Sequence, residues 1–184
     1  KNEALNGLDS MLLSSTVEQI AKAEGAKIIV FSFDITGKAV APRLSARLKA
    51  GLVAGAVDVP TINGTSLEVK KNVFSGKAFG NVAVKTAVKI ISLLPNSIKP
   101  ENIEGTATVE AFNGNVGVAA IKVIDTKKPE GSIPLPEADL VVSAGRGLKG
   151  PENWGIVEDL ANVLGAATAC SRPVADIGWR PHHE

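Results

Sequence analysis

The sequence predicts an α/β protein built on a mixed, largely parallel sheet with added antiparallel strands, and three observations carry that prediction. Residues 27–33 read KIIVFSF, apolar on both sides, and lead through Asp34-Ile35-Thr36-Gly37 into a helical stretch ending near Lys49. A strand without a wet face belongs inside a parallel sheet. Over residues 65–94 the period changes to two: Val82, Val84, Thr86, Val88 and Ile90 fall on one side, and Asn81, Ala83, Lys85, Ala87 and Lys89 on the other, the pattern of strands with one solvated face. Residues 138–172 then give a short apolar run, a glycine turn and a helix.

In chain order, Ser14 or Ser15 is expected to cap a first helix running to about Glu24, with Val17, Ile20 and Ala21 inward and Gly25 as its stop. The 27–33 strand follows, then the helix bearing Arg43 and Arg47 one turn apart on a single face. This strand-turn-helix is not a Walker A loop: Ser32 stands where a glycine is needed and Ala39 where Ser or Thr must follow the lysine. Leu67-Glu68-Val69 and Val73-Phe74 open the antiparallel additions. Their lysines (Lys70, Lys71, Lys77, Lys85, Lys89) read as a solvated sheet face. Two further strands are expected at 106–112 and 116–123, joined at Asn113-Gly114. The Pro-rich stretch DTKKPEGSIPLP marks a boundary, giving an N-terminal α/β domain over 1–125, a linker over 126–137 and a second piece over 138–184.

The second piece carries the densest chemistry. Leu140, Val141 and Val142 make a short apolar run that ends in Gly145-Arg146-Gly147-Leu148-Lys149-Gly150, a G-x-G-x-x-G. Pro151 and Glu152 suit a first helical turn. Trp154, Val157, Leu160, Ala161 and Leu164 follow at helical spacing, and Gly165 stops them. This is the setting of a dinucleotide fingerprint, the first βαβ unit of a Rossmann-like domain, in which glycines let a pyrophosphate approach backbone N–H groups. An NAD site places an acid about 20 residues on. Here that region reads Ala169-Cys170-Ser171-Arg172-Pro173, a cation and a hydroxyl. The pattern suits a phosphate, or a ring that becomes negative on reduction. A fixed positive charge in a low-dielectric site favours such reduced forms.

Residues 141–149 (VVSAGRGLK), Ser171-Arg172-Pro173, Asp176-Ile177-Gly178-Trp179 and Pro181 together resemble the flavin domain of the electron-transfer flavoprotein α subunit. Thr36-Gly37-Lys38 with Pro42-Arg43 resembles the turn and helix of that subunit's first domain. The resemblance implies an FAD-binding domain from residue 138 onward, with Gly145, Arg146, Gly147, Ser171 and Arg172 as cofactor-binding residues. It also implies a heterodimer with a β subunit, and electron carriage rather than substrate conversion. Electrons would come from acyl-CoA or other dehydrogenases, as in fatty-acid β-oxidation, and pass to a respiratory or other acceptor. The family has a second glycine where this chain has Ala144, and it continues past residue 184 into Q-V-G-Q-T-G. The chain is accordingly read as an internal portion of a longer subunit, with little or no stable FAD expected on these 184 residues in isolation.

Bulk composition narrows the alternatives. Net charge of +1 gives no pull toward nucleic acid or anionic membrane, and 4% aromatic residues with no tyrosine leave no base-stacking surface. No apolar run approaches the roughly 20 residues of a membrane span, and no targeting segment is recognisable. One cysteine excludes an intrachain disulfide and fits a cytoplasmic setting. Cys170 reads as a small core residue rather than a redox thiol. His182-His183 point apart along the chain and do not form a metal site, and no G-x-S-x-G elbow exists. Two rivals stay open: part of an NAD(P)-dependent oxidoreductase with Arg172 on a 2′-phosphate, and a structural or docking piece without cofactor.

Overall fold

One strand, buried on both faces, holds the first sheet together. In the computed structural model, which describes residues 3–7, 9–125, 135 and 138–181, the segment Lys89–Leu93 has Ile90, Ile91 and Ser92 essentially without exposure. The chain divides into two compact units, Lys1–Ile124 and Asp125–Glu184. The 126–137 linker lies outside the described residues apart from Leu135. Among the described residues no helix is long and apolar enough to cross a membrane.

In the first unit, α1 (Ser10–Ala23) is capped by Asp9 rather than Ser14 or Ser15. One carboxylate oxygen accepts from the N–H groups of Met11 and Leu12 at 2.9 and 3.2 Å, which satisfies helix-start donors that otherwise lack a partner. The other accepts from the Ala120 N–H at 2.8 Å. Ser14 sits inside the helix instead, its hydroxyl donating to the Met11 carbonyl at 2.9 Å. Strand β1 (Ile28–Ser32) and helix α2 (Ile35–Leu48) follow, the helix capped by Asp34, whose side chain accepts from the Gly37 N–H at 2.7 Å. Gly37 is obligatory there, because a Cβ would run into the Ser32 carbonyl. Glu18 ties α1 to α2, accepting from Lys22 at 2.7 Å and from Arg47 at 2.9 Å.

Strands β2 (Gly51–Ala56), β3 (Thr61–Asn63), β4 (Ser66–Val73), β5 (Ala78–Val84) and β6 (Lys89–Leu93) complete the sheet, in the order β1-β6-β2-β4-β3 with β5 on the other side of β4. β6 runs parallel to β1 and β2, whereas β4 is antiparallel to β2, β3 and β5. The class is therefore as expected, a mixed sheet with antiparallel additions. Ile90 packs with Ala41, Leu44 and Ala50, and Ile91 with Val53, Leu67 and Val69, so β6 separates two cores.

Three expectations are corrected. The central strand is β6 and not 27–33: among the described residues β1 pairs with β6 alone and leaves Ile28 and Val30 exposed. The alternating run over 65–94 is not one kind of strand. It is broken at 85–88 between antiparallel β5 and parallel β6, and the apolar residues of β6 serve both faces. Residues 106–112 and 116–123 form no strands. They pair with no strand among the described residues, and Val109 and Val118 are more than nine-tenths exposed. High β-propensity makes no ladder without a partner edge.

In the second unit, β7 (Val141–Ala144) pairs in parallel with β8 (Ala167–Cys170). Between them lie helix α3 (Gly155–Leu164), ended by Gly165 in the left-handed conformation at φ 63, and after them the short helix α4 (Arg172–Asp176). Only one strand–helix–strand unit is described, so this piece stands as a small α/β layer.

The Asp9 carboxyl is held below the ordinary aspartate value, first by the Ala120 N–H and then by that of Leu12, against the opposing effect of burial. A depressed folded value contributes stability that is fully present above the unfolded value and is lost as pH falls through the folded one. Urea melts across the acidic range are expected to show that loss, and Asp9→Asn to remove it. Identical acid slopes for both proteins would show that the carboxylate has no such role.

Candidate functional site

Parallel pairing brings two of the predicted residues, Gly145 and Ser171, together. Ala144 lies opposite Cys170 in register, and the Ser171 N–H donates to the Ala144 carbonyl at 3.0 Å. Gly145 and Ser171 therefore leave the same end of two adjacent strands, and a Cβ on Gly145 would stand 3.4 Å from the Ser171 hydroxyl oxygen. The carboxyl ends of neighbouring parallel strands are where open α/β sheets place ligands.

After Gly145 the chain does not enter an α-helix at Pro151, as the sequence suggested. Arg146–Leu148 and Pro151–Asn153 each make a 3-10 turn, and α3 begins only at Gly155. The Asn153 side-chain amide donates to the Leu148 carbonyl at 2.8 Å and pins the corner. Beneath it, Trp154, Val157 and Val174 are buried, with Val142, Ala144, Leu148, Cys170 and Trp179 packed against them. Cys170 is thus part of this apolar support, in keeping with a packing role. The Trp154 indole N–H is buried without a hydrogen-bond partner. The Arg180 guanidinium stands 5.4 Å from the Trp154 ring and pairs with Glu158 at 3.0 Å.

The two glycines of the corner differ from ordinary turn glycines. Neither Gly145 nor Gly147 has a positive φ, so backbone conformation does not require glycine at either place. At Gly147 a Cβ would meet nothing within 4 Å. The space beside that backbone is open.

The cations are placed as follows. Arg146, inside the corner, is exposed and makes no ion pair with Glu152 or Asp159. Arg172 begins α4 with its side chain 89% exposed, 3.5 Å from the Asp176 carboxylate. An exposed pair of that kind is worth about 0–1 kcal/mol, less than the 1.5–3 kcal/mol of a charge-assisted hydrogen bond. The sequence held the signal for this partner in the i, i+4 spacing of Arg172 and Asp176. It held none for the Arg180–Glu158 pair, which the fold alone brings together. Backbone N–H groups at an open glycine corner, a hydroxyl and two exposed guanidinium groups fit an anionic dinucleotide. Among the described residues no cluster of ligands for a metal ion occurs, and His182 and His183 lie outside them.

Two family profiles match the chain: "Electron transfer flavoprotein domain" over residues 1–116 and "Electron transfer flavoprotein FAD-binding domain" over residues 134–184. The Bacillus subtilis electron transfer flavoprotein subunit alpha is 30% identical over 174 residues, which covers 90% of this chain and 52% of the relative. The corresponding subunit of Syntrophomonas wolfei is 34% identical over 163 residues, 84% of this chain and 49% of the relative. The Acetobacterium woodii protein named lactate dehydrogenase (NAD(+),ferredoxin) subunit LctC is 28% identical over 165 residues, 87% of this chain and 39% of the relative. The chain spans about half the length of the first two of these relatives.

Because the Gly147 backbone suits any residue and its Cβ direction is empty, Gly147→Ala is expected to raise stability by about 0.4–1 kcal/mol through the unfolded chain. Denaturant melts measure this. A loss instead would mean that the glycine serves the turn itself.

Proposed function

The chain belongs to the electron transfer flavoprotein α-subunit family, and on that premise we propose that residues 138–184 form the first part of an FAD site in an electron carrier. The observation that carries the reading is the open corner at Gly147, with an exposed arginine next to it and another at the end of the adjacent strand. The match of the FAD-binding domain profile over the same residues supports it.

Bound FAD would supply reversible electron storage. Gly145 and Gly147 admit its anionic groups to the backbone. Arg146 binds from within the corner, and the Ser171 hydroxyl offers a hydrogen bond beside it. Arg172, paired with Asp176 here, would be a residue to hold the cofactor, and its fixed positive charge would favour the negative reduced forms. By the same reading the chain pairs with an electron transfer flavoprotein β subunit. It receives electrons from acyl-CoA or other dehydrogenases in the cytoplasm and is a carrier, not the site of substrate conversion. The LctC relative is named as a dehydrogenase subunit, which is compatible with a carrier module working inside an enzyme complex. The cation at Arg172 favours one alternative, a 2′-phosphate and hence NADP(H).

The test is ligand titration of the chain assembled with its β subunit, followed by flavin absorbance, with a redox titration alongside. FAD is expected to bind. Arg172→Ala is expected to weaken binding about tenfold, the scale of one charge-assisted contact, and to lower the flavin midpoint potential, with Arg172→Lys restoring part of the potential. If affinity and potential both stay at wild-type values in Arg172→Ala, Arg172 has no part in the site. NADPH binding without FAD binding would favour the alternative.

A further inference from the structure

The two turns of the glycine corner are joined by a strained link, and one side chain spans it. The first turn closes through the Leu148 N–H, which donates to the Gly145 carbonyl at 3.2 Å, and the Lys149 N–H, which donates to the Arg146 carbonyl at 3.0 Å. The second closes through Asn153 N–H to the Gly150 carbonyl at 3.3 Å and Trp154 N–H to the Pro151 carbonyl at 3.1 Å. Bonds of this kind have poorer geometry than those of an α-helix. Between the turns stand Lys149 and Gly150, and Lys149 is held at φ 68, a left-handed conformation that a side chain disfavours.

Across that link runs the 2.8 Å bond from the Asn153 amide nitrogen to the Leu148 carbonyl. Among the described residues no other hydrogen bond passes from one turn to the other. Leu148 is thereby fixed at three points. Its N–H is bonded in the first turn, its carbonyl is bonded from the second, and its side chain packs on Trp154, Val157 and Val174. Asn153 is itself a firm base for the bond, since its N–H is tied to Gly150 and the next residue, Trp154, is only 2% exposed.

The first turn leaves two donors unused. The N–H groups of Arg146 and Gly147, both exposed residues, donate to nothing among the described residues. They are the backbone donors that an anionic group at this corner needs. Donors serve a ligand best when their directions are set beforehand, because a corner that is ordered only on binding loses that ordering free energy from the affinity. The glycines do not set these directions, being under no conformational demand at 145 or 147. The bond from the following turn does. We infer, on the strength of the FAD reading and as a deepening of it, that Asn153 is a positioning residue of that site. By clamping the Leu148 carbonyl it holds the Arg146 and Gly147 N–H groups ready for the cofactor, without touching the cofactor itself.

The test compares the wild-type chain with Asn153→Asp, Asn153→Ala and Asn153→Gln. An aspartate keeps the shape but, once ionised, donates nothing to a carbonyl. Hydrogen exchange on the chain without cofactor is expected to show the Leu148 and Lys149 amides exchanging about tenfold faster in the Asp and Ala variants, with α3 protected as in the wild type. FAD titration of each chain assembled with the β subunit is expected to show affinity lowered about tenfold in those two variants, with a changed visible circular dichroism of the flavin that still binds. Asn153→Gln, which keeps the amide donor, is expected to recover part of both. Unchanged exchange at Leu148 and Lys149 would show that the bond does not hold the corner. Faster exchange with wild-type affinity and dichroism would show a clamp of structural value only, and loss of α3 protection in the Asp or Ala variant would make Asn153 a residue of the fold. Each of these overturns the proposal and leaves the FAD reading standing. Failure of the wild-type assembly to bind FAD would overturn both.

Discussion

Parallel pairing is the constraint on which this structure depends. In the first unit a single short strand, β6, serves β1 on one side and β2 on the other, and its consecutive residues Ile90 and Ile91 fill opposite cores. A parallel sheet needs helices to cover it and crossovers to connect it. α2 supplies both between β1 and β2. The second unit repeats the logic on a smaller scale: α3 carries the chain from β7 to β8, and the bond from Ser171 to Ala144 aligns two strand ends. Everything that gives the candidate site its chemistry follows within three residues of those ends.

What the sequence made legible was whatever local physics decides. The glycine corner, the Gly165 stop, the Asp34-to-Gly37 turn and the packing role of Cys170 all depend on neighbours in the chain, and all were readable. The sheet order was not. KIIVFSF has the composition of a central strand, yet its place depends on which other strand lies beside it, and no property of residues 27–33 encodes that. Residues 106–123 show the converse, since alternating apolar residues signal strand capacity but not the presence of an edge to join. Asp9 was overlooked as a cap because Ser14 and Ser15 are equally good caps in isolation. The long-range bond to Ala120 tips the balance toward Asp9, and that bond exists only in the fold.

Within the candidate site the same division holds. Residues 145–147 and 171–172 were singled out from the glycine spacing together with the family resemblance, and parallel register then makes Gly145 and Ser171 neighbours. The late start of α3 was not foreseen. Pro151 and Glu152 suit a first helical turn by every local rule, but Lys149 takes a left-handed conformation at φ 68 and the chain spends two 3-10 turns before straightening. The two turns bond the N–H groups of Leu148, Lys149, Asn153 and Trp154 within themselves, so the corner is built from local turns and not from a helix start.

The burial of Trp154 has a practical side. Both tryptophans of the chain, Trp154 and Trp179, lie in the second unit and in one apolar cluster, and the indole N–H of Trp154 is shielded from water. Intrinsic emission excited at the indole band is therefore a private reporter of that unit, starting blue-shifted and moving red only when its small core opens. Melting of the first sheet would pass unseen in that channel and visible in far-ultraviolet dichroism, so the two signals together would read out whether the halves of the chain come apart in one step or two.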